Sequence, residues 1–267
     1  MRKLALPLLG SLLAFLILGS ALAADPEPPQ AYLQFDGTNN YVEVPNSLDF
    51  SVSIEGLTVS AWVRPDALTF PKTEGSLPDQ QFAHWLGKGR TGQHEWVFRM
   101  YSQPGPRGNR ISFYVFNSGP PPQRGCGSYF QDPVEAGQWI HVVGVVDNVA
   151  KMIQIYKNGQ LRNSHSYQGI ITPQSGTAPL RMGTRDFASF FQGALADIKV
   201  WNLPLTEAEV LALYESNSVP QGGLVGEYLL NDSRFVSGRS AAGYISARWG
   251  SETNPINATS ENSGGGC

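Results

Sequence analysis

The chain has 267 residues, with 19 lysines and arginines against 22 aspartates and glutamates, a formal net charge of −3. That balance lacks the basic excess that neutralising a phosphate backbone requires, which argues against nucleic acid as a partner. Only two cysteines are present, Cys126 and Cys267, so a disulfide framework is excluded, while a single bridge and separate thiols both stay open.

The chain opens on Met1-Arg2-Lys3, a short basic segment, followed by an almost unbroken apolar run from Leu4 to Leu18 and the small residues of Ala21-Leu22-Ala23. This order predicts a secretory signal peptide over 1–23, and hence a secreted chain, extracellular or periplasmic; the alternative is an uncleaved anchor helix. No later apolar run approaches the roughly 20 residues a bilayer demands, so no membrane insertion is expected after cleavage. Residues 24–30, ADPEPPQ, read as a proline-rich linker that cannot donate ladder hydrogen bonds. A single domain is expected over 31–250, followed by a flexible polar and glycine-rich tail over 251–267.

Within 31–250 most segments alternate. YVEVPN, GLTVSAWVRP, HEWVFRMYS, NRISFYVFN, QWIHVVGVVD, KMIQIYKNGQL, APLRMG and GALADIKVWN each carry apolar, β-branched or aromatic residues at period two or in short runs, bounded by Gly, Pro, Asn or Asp. In YKNGQL, Asn158-Gly159 suits the type I′ turn, which predicts a hairpin over 151–168. One helix is expected near 206–216, where Thr206 and Glu209 form a capping box ahead of Val210, Leu211, Leu213 and Tyr214. Long loops are expected at Thr69–Phe82, Ser102–Arg110, Ser118–Val134 and Gly183–Gln192. The sum is an all-β chain, an antiparallel two-sheet sandwich with one short helix.

Five blocks in order, LQFDGTNNYVEVPNS, LTVSAWVRP, GQWIHVVGVVD, IQIYKNGQL and GALADIKVWNLPLTEAEVLALYES, resemble the laminin-G-like branch of the concanavalin A-like lectin/glucanase superfamily, related to pentraxins. The resemblance covers roughly Ala31 to Ser216 and implies a jelly-roll sandwich. The later segment GLVGEYLLND…SGRSAAGYISARWGSE resembles one that in this family often precedes the FDG strand. Leu224–Leu230 and Tyr244–Trp249 are therefore expected to return as strands beside the start of the domain, or else to begin a truncated repeat.

Asp36 in FDGTNNY admits two roles. It can accept hydrogen bonds from the turn that follows it, or help hold a cation. The resemblance implies a structural calcium where the first strand nears a late one, with Asp36 and Asp197 as its carboxylates. A pentraxin-type double calcium site is not expected, because the matching loop reads Thr184-Arg185-Asp186 and the arginine opposes a divalent ion. The same loop offers Arg185, Asp186 and Gln192 as hydroxyl partners and Phe187 and Phe190 as aromatic faces, a mixture suited to a sugar ring; the alternative is that these phenylalanines tuck into the core edge. Strand alternation predicts Trp85 and Trp96 as core. His84 and His94 flank a glycine-rich turn, yet no neighbouring Cys or acid completes a zinc set.

No closely spaced acids on one strand and no GxSxG elbow appear, so no enzymatic activity is expected. The expected function is an exported, non-catalytic module that binds a glycan or a cell-surface or matrix protein, as in adhesion, through its loops. The alternative is a structural or protein-interaction domain without a small ligand; a glycoside hydrolase ranks below both.

Overall fold

The computed structural model describes residues 25–75, 77, 80–90, 92–116, 125–171, 177–230, 236–240 and 243–251, the last two stretches by backbone alone. The predicted signal peptide, the tail beyond 251 and Cys267 lie outside the described residues. Among the described residues fifteen strands form in chain order: β1 (Leu33–Asp36), β2 (Asn40–Val44), β3 (Gly56–Pro65), β4 (Phe82–Arg90), β5 (Gln93–Tyr101), β6 (Ile111–Phe116), β7 (Gly125–Tyr129), β8 (Ile140–Asp147), β9 (Met152–Lys157), β10 (Gln160–Ser166), β11 (Leu180–Met182), β12 (Gln192–Trp201), β13 (Leu224–Tyr228), β14 (Val236–Ser240) and β15 (Gly243–Ser251). Between β12 and β13 lies the helix α1 (Glu207–Ser216).

Two antiparallel sheets result. The first runs β10-β9-β8-β3-β12, and the far edge of β12 is shared by β1 and β13. The second runs β2-β11-β4-β5-β6-β7, and β14 and β15 bridge from β13 to β2. Between the sheets, Val59, Ala61, Ile153, Ile155, Leu195 and Ile198 from the first meet Val42, Trp85, Trp96, Phe98, Phe113 and Met182 from the second, all buried. Each of the larger aliphatic and phenyl side chains contributes roughly 1.5–3 kcal/mol on burial, and the stacked pair Trp85–Phe98, with centroids 4.6 Å apart, centres the core.

The local chemistry explains most elements. In the β9–β10 hairpin Asn158 and Gly159 both take positive φ, 52° and 74°, as the type I′ reading requires. Helix α1 begins at the Thr206 cap: the Thr206 side chain accepts from Glu209 N, and Glu209 Oε2 accepts from Thr206 N at 2.8 Å. Val210 and Leu213 face the outer side of the first sheet and bury there with Trp201, Val143 and Tyr156, while Tyr214 packs with Trp62 and Ala196.

Two strands depart from the expectations. β7 lies inside the stretch expected to be the loop Ser118–Val134; its sequence GCGSY has low intrinsic β-propensity, and register with β6 (Tyr114 opposite Gly127, Ser112 opposite Tyr129) makes the strand. β4 begins at Phe82, where the expected loop Thr69–Phe82 ends, and carries buried Trp85. Cys126, in β7, is disulfide-bonded.

Candidate functional site

Asp36 answers to the turn that follows it. Its Oδ1 accepts from the backbone N–H groups of Thr38, Asn39 and Asn40, at 2.8, 3.1 and 3.3 Å. Gly37 takes φ +76°, and a Cβ there would stand 2.7 Å from Gln192 Cβ, so only glycine lets the turn close over β12. Gln192 is thus packed beneath this turn, opposite Asp36 in register.

Asp197 is elsewhere. It lies five positions beyond Gln192 on β12, about 16 Å along a strand at ~3.3 Å per residue. It occupies the bulge where β12 changes neighbour from β1 to β13, with φ +47°, and its carboxylate pairs with Lys199. It also lines a recess of about 690 Å³ with Trp62 and Tyr214. The two carboxylates named for a structural calcium therefore do not share a site, and the residues present do not fit that ion as expected.

The loop between β11 and β12 divides the sugar-contact set. Phe190 is 1% exposed and sits at the core edge, with Lys72 Nζ 4.7 Å from its ring centroid. Arg185 is fully buried and Asp186 8% exposed. Phe187 and Gln192 are half-buried; Phe187 takes φ +68°, a costly conformation for an aromatic residue. Its ring meets Tyr41 edge-on at 4.9 Å and carries the Arg181 guanidinium at 4.3 Å.

What Arg185 and Asp186 do instead is build a buried polar network with residues from β4, β5 and the 69–82 loop. Arg185 Nη2 donates to Asp186 Oδ2 at 2.7 Å and lies 4.0 Å from Glu74 Oε2. Glu74 Oε1 stands 2.7 Å from His84 Nδ1 and accepts from Ser189 Oγ at 2.7 Å. Arg99 Nε donates to His84 Nε2 at 3.3 Å, so that nitrogen is unprotonated and the proton of a neutral ring sits on Nδ1, facing Glu74.

Glu74, His84 and Asp186 bring their ligand-type atoms within 4.8 Å of one another. This corrects the reading that no acid completes a set with His84, since the acids arrive from distant loops; His94 lies instead 3.4 Å from Arg185 Nη2. The charges nevertheless disfavour a cation. Two guanidiniums, Arg99 and Arg185, already balance two carboxylates, and a divalent ion would add buried positive charge beside both. The cluster reads as a closed structural network on the outer side of the second sheet, where the loops pack on the β4–β5 end.

That face is the functional candidate. Register aligns its outward positions in two rows, Glu43–Arg181–Gly87–Val97–Tyr114–Gly127 and His84–Arg99–Ser112–Tyr129. Arg99, 2% exposed, is caged by the rings of Tyr114 at 4.2 Å, Phe82 at 4.4 Å and Phe116 at 5.6 Å. At the rim, Tyr114 and Tyr129 on one side and Tyr41 and Phe187 on the other are half-buried. Burial pushes the Tyr114 phenol above its ordinary pKa, aided by Tyr101 and opposed by Arg99 and Arg107, so it is a neutral hydrogen-bonding group. Of these tyrosines only Tyr114 carries a sequence signal, its outward phase in ISFYVF; Tyr129 is placed by the pairing of β7 with β6.

A family model described as the concanavalin A-like lectin/glucanases superfamily, Laminin_G_3, matches residues 36–211. No curated protein matches the sequence. Among solved structures, a heptameric SAP-like pentraxin of Limulus polyphemus is similar at TM-score 0.53 and 15% identity, with 84% of this chain and 95% of the pentraxin chain covered. A protein of Bacteroides ovatus assigned to carbohydrate binding is similar at TM-score 0.55 and 16% identity, over 86% of this chain and 63% of that one. At these identities the likeness concerns the fold.

Proposed function

The chain belongs to the Laminin_G_3 family of the concanavalin A-like lectin/glucanases superfamily, and from that premise we propose that it is an exported, non-catalytic module that binds glycans on the outer face of the second sheet. The observation that carries this reading is the rim of half-buried rings, Tyr41, Phe187, Tyr114 and Tyr129, set around buried guanidiniums on that face. Aromatic faces with fixed polar groups beside them suit the alternating C–H and hydroxyl surface of a sugar ring. The fold likeness to the Bacteroides ovatus protein assigned to carbohydrate binding adds to it.

The non-catalytic part rests on the fate of the clustered acids. Glu74 and Asp186 are held by His84, Ser189 and Arg185 in the closed network, and Glu207 and Glu209 serve the first turn of α1. A hydrolase of glycosidic bonds needs instead two carboxyls flanking an open cleft. Calcium has no part in this reading.

A glycan array probed with the full chain, in calcium and in EDTA, tests it. Retention of a discrete set of glycans, equal in both buffers, is expected, with no reducing sugar released from laminarin. No retention in either buffer contradicts it and favours an interaction domain without a small ligand. Release of reducing sugar contradicts the non-catalytic assignment.

A further inference from the structure

From the charge and ring geometry at one end of this face, we infer that the glycans bound are anionic, carrying carboxylate or sulfate groups, and that Arg107 and Arg110 recognise the charge beside the Tyr129 ring. This rests on the glycan-binding reading and narrows it.

The loop after β5 folds back over the outer face and brings both arginines onto one ring. The Arg107 guanidinium stands 4.8 Å and that of Arg110 6.0 Å from the Tyr129 centroid. Arg107 Nη1 also donates to Tyr101 Oη at 3.3 Å, which fixes the plane of the fork and leaves its other N–H groups for a ligand.

Neither guanidinium has a carboxylate within ion-pair distance among the described residues, in contrast to Arg64 with Asp66, Arg162 with Asp132 and Arg181 with Glu43. In a chain with more acids than bases overall, two cations held on one ring without a counter-charge repel each other, and an anion at that point relieves the repulsion. Both side chains are half-buried, so water screens them incompletely.

The adjoining strand leaves room for a sugar chain. Outward positions 125 and 127 of β7 are glycines, half-buried. A Cβ on Gly127 would stand 2.5 Å from the Tyr114 ring, so that ring lies flat along the strand. The strand thus presents its backbone and the Tyr114 ring as a floor, with Tyr129 and the two arginines at one end. A rigid floor of ring and peptide beside a charged end suits a polysaccharide with acidic substituents. An acidic peptide would satisfy the charge but not use the ring face.

The test measures retention of the full chain on immobilised dextran sulfate, polygalacturonate, unmodified dextran and polyglutamate at graded salt. Binding to dextran sulfate, to polygalacturonate or to both is expected, weakening as salt rises, with polyglutamate at least roughly tenfold weaker. Arg107→Gln/Arg110→Gln should lose roughly tenfold or more in affinity for the acidic glycan and keep the wild-type Tm, whereas Arg90→Gln, an exposed arginine away from the Tyr129 ring, should bind as wild type. The double variant with both arginines changed to Lys keeps charge without the planar fork and should fall between.

Dextran sulfate and polygalacturonate together separate sulfate from carboxylate as the recognised group. Binding of dextran, or of neutral glycans on the array, without binding of either acidic polymer overturns the anionic assignment and leaves the glycan reading standing. Failure with every glycan overturns both. Polyglutamate bound as tightly as the acidic glycans assigns the patch to acidic peptides instead. An acidic glycan bound equally by the Gln double variant removes these arginines from recognition.

Discussion

The two outer faces of the sandwich are made by the same alternation and treated in opposite ways. On the first sheet α1 lays Val210, Leu213 and Tyr214 over β3, β8 and β12, and Trp62, His141 and Tyr214 form a stack with centroids 5.3 to 6.0 Å apart. On the second sheet the outward positions hold Arg99, His84, Arg181, Tyr114 and Tyr129, with two carboxylates from loops packed against His84. A sandwich needs only its inner faces for a core. The apolar cover of the first face adds stability, whereas burying four charged groups against the second gains little over hydrocarbon of equal volume. The first face holds one such pair, Lys199 with Asp197, whereas the second gathers several charged groups among aromatic rings, and that clustering points to recognition there.

The contrast can be broken most severely at Glu74. Glu74→Ala leaves His84 and Arg185 facing a lost counter-charge and should cost roughly 3–5 kcal/mol in denaturant unfolding, while Glu74→Gln should recover part of it. A loss under about 1 kcal/mol for the Ala variant would mean that the network is solvated and the two faces differ less than argued.

The covered face should fail in acid instead. Burial, with Lys199 nearby, depresses the His141 pKa from 6.5 to about 3. The unfolded chain then binds this proton more readily than the folded one, so the contribution is whole above about pH 6.5 and is lost as pH falls toward about 3. By about pH 4 this amounts to roughly 3 kcal/mol at ~1.4 kcal/mol per pH unit. His141→Phe should flatten the acid limb of a stability-versus-pH curve between these values; an unchanged slope would show that the ring is already hydrated.

Smaller effects check the edges. Thr206→Ala removes the α1 cap and should lower stability by about 1 kcal/mol, read by thermal unfolding, with no effect on glycan retention. Asp36→Ala should cost about 1 kcal/mol through its turn N–H groups, whereas Asp36→Asn keeps the acceptor and should unfold as wild type, with and without EDTA. Loss in the Asn variant together with sensitivity to EDTA would restore a metal to that turn.

The fold was legible in sequence because its inner faces repeat with period two. GLTVSAWVRP coincides with β3 and the capping box with the start of α1. β7 was not, since GCGSY carries no pattern of its own and exists through its pairing with β6. At the site, the residue types of the Gly183–Gln192 loop were visible but their direction was not: one turn of backbone sends Arg185 inward to Glu74 and Phe187 outward to Tyr41. Asp36 and Asp197 looked like partners because both occupy marked positions in the blocks, and only the β1–β12 register separates them. Arg107, Arg110 and Tyr129 come from a loop and a strand that share no sequence motif, so their meeting is a product of the sheet.

The most direct measurement is an amide chemical-shift map of the full chain titrated with the acidic polysaccharide it retains, cut to short oligomers. Recognition on the second sheet predicts shifts at Tyr101, Arg107, Tyr114, Gly127 and Tyr129, with Trp62, His141 and Tyr214 unmoved. Shifts centred on Trp62 and Tyr214, or spread evenly over the surface, would contradict it.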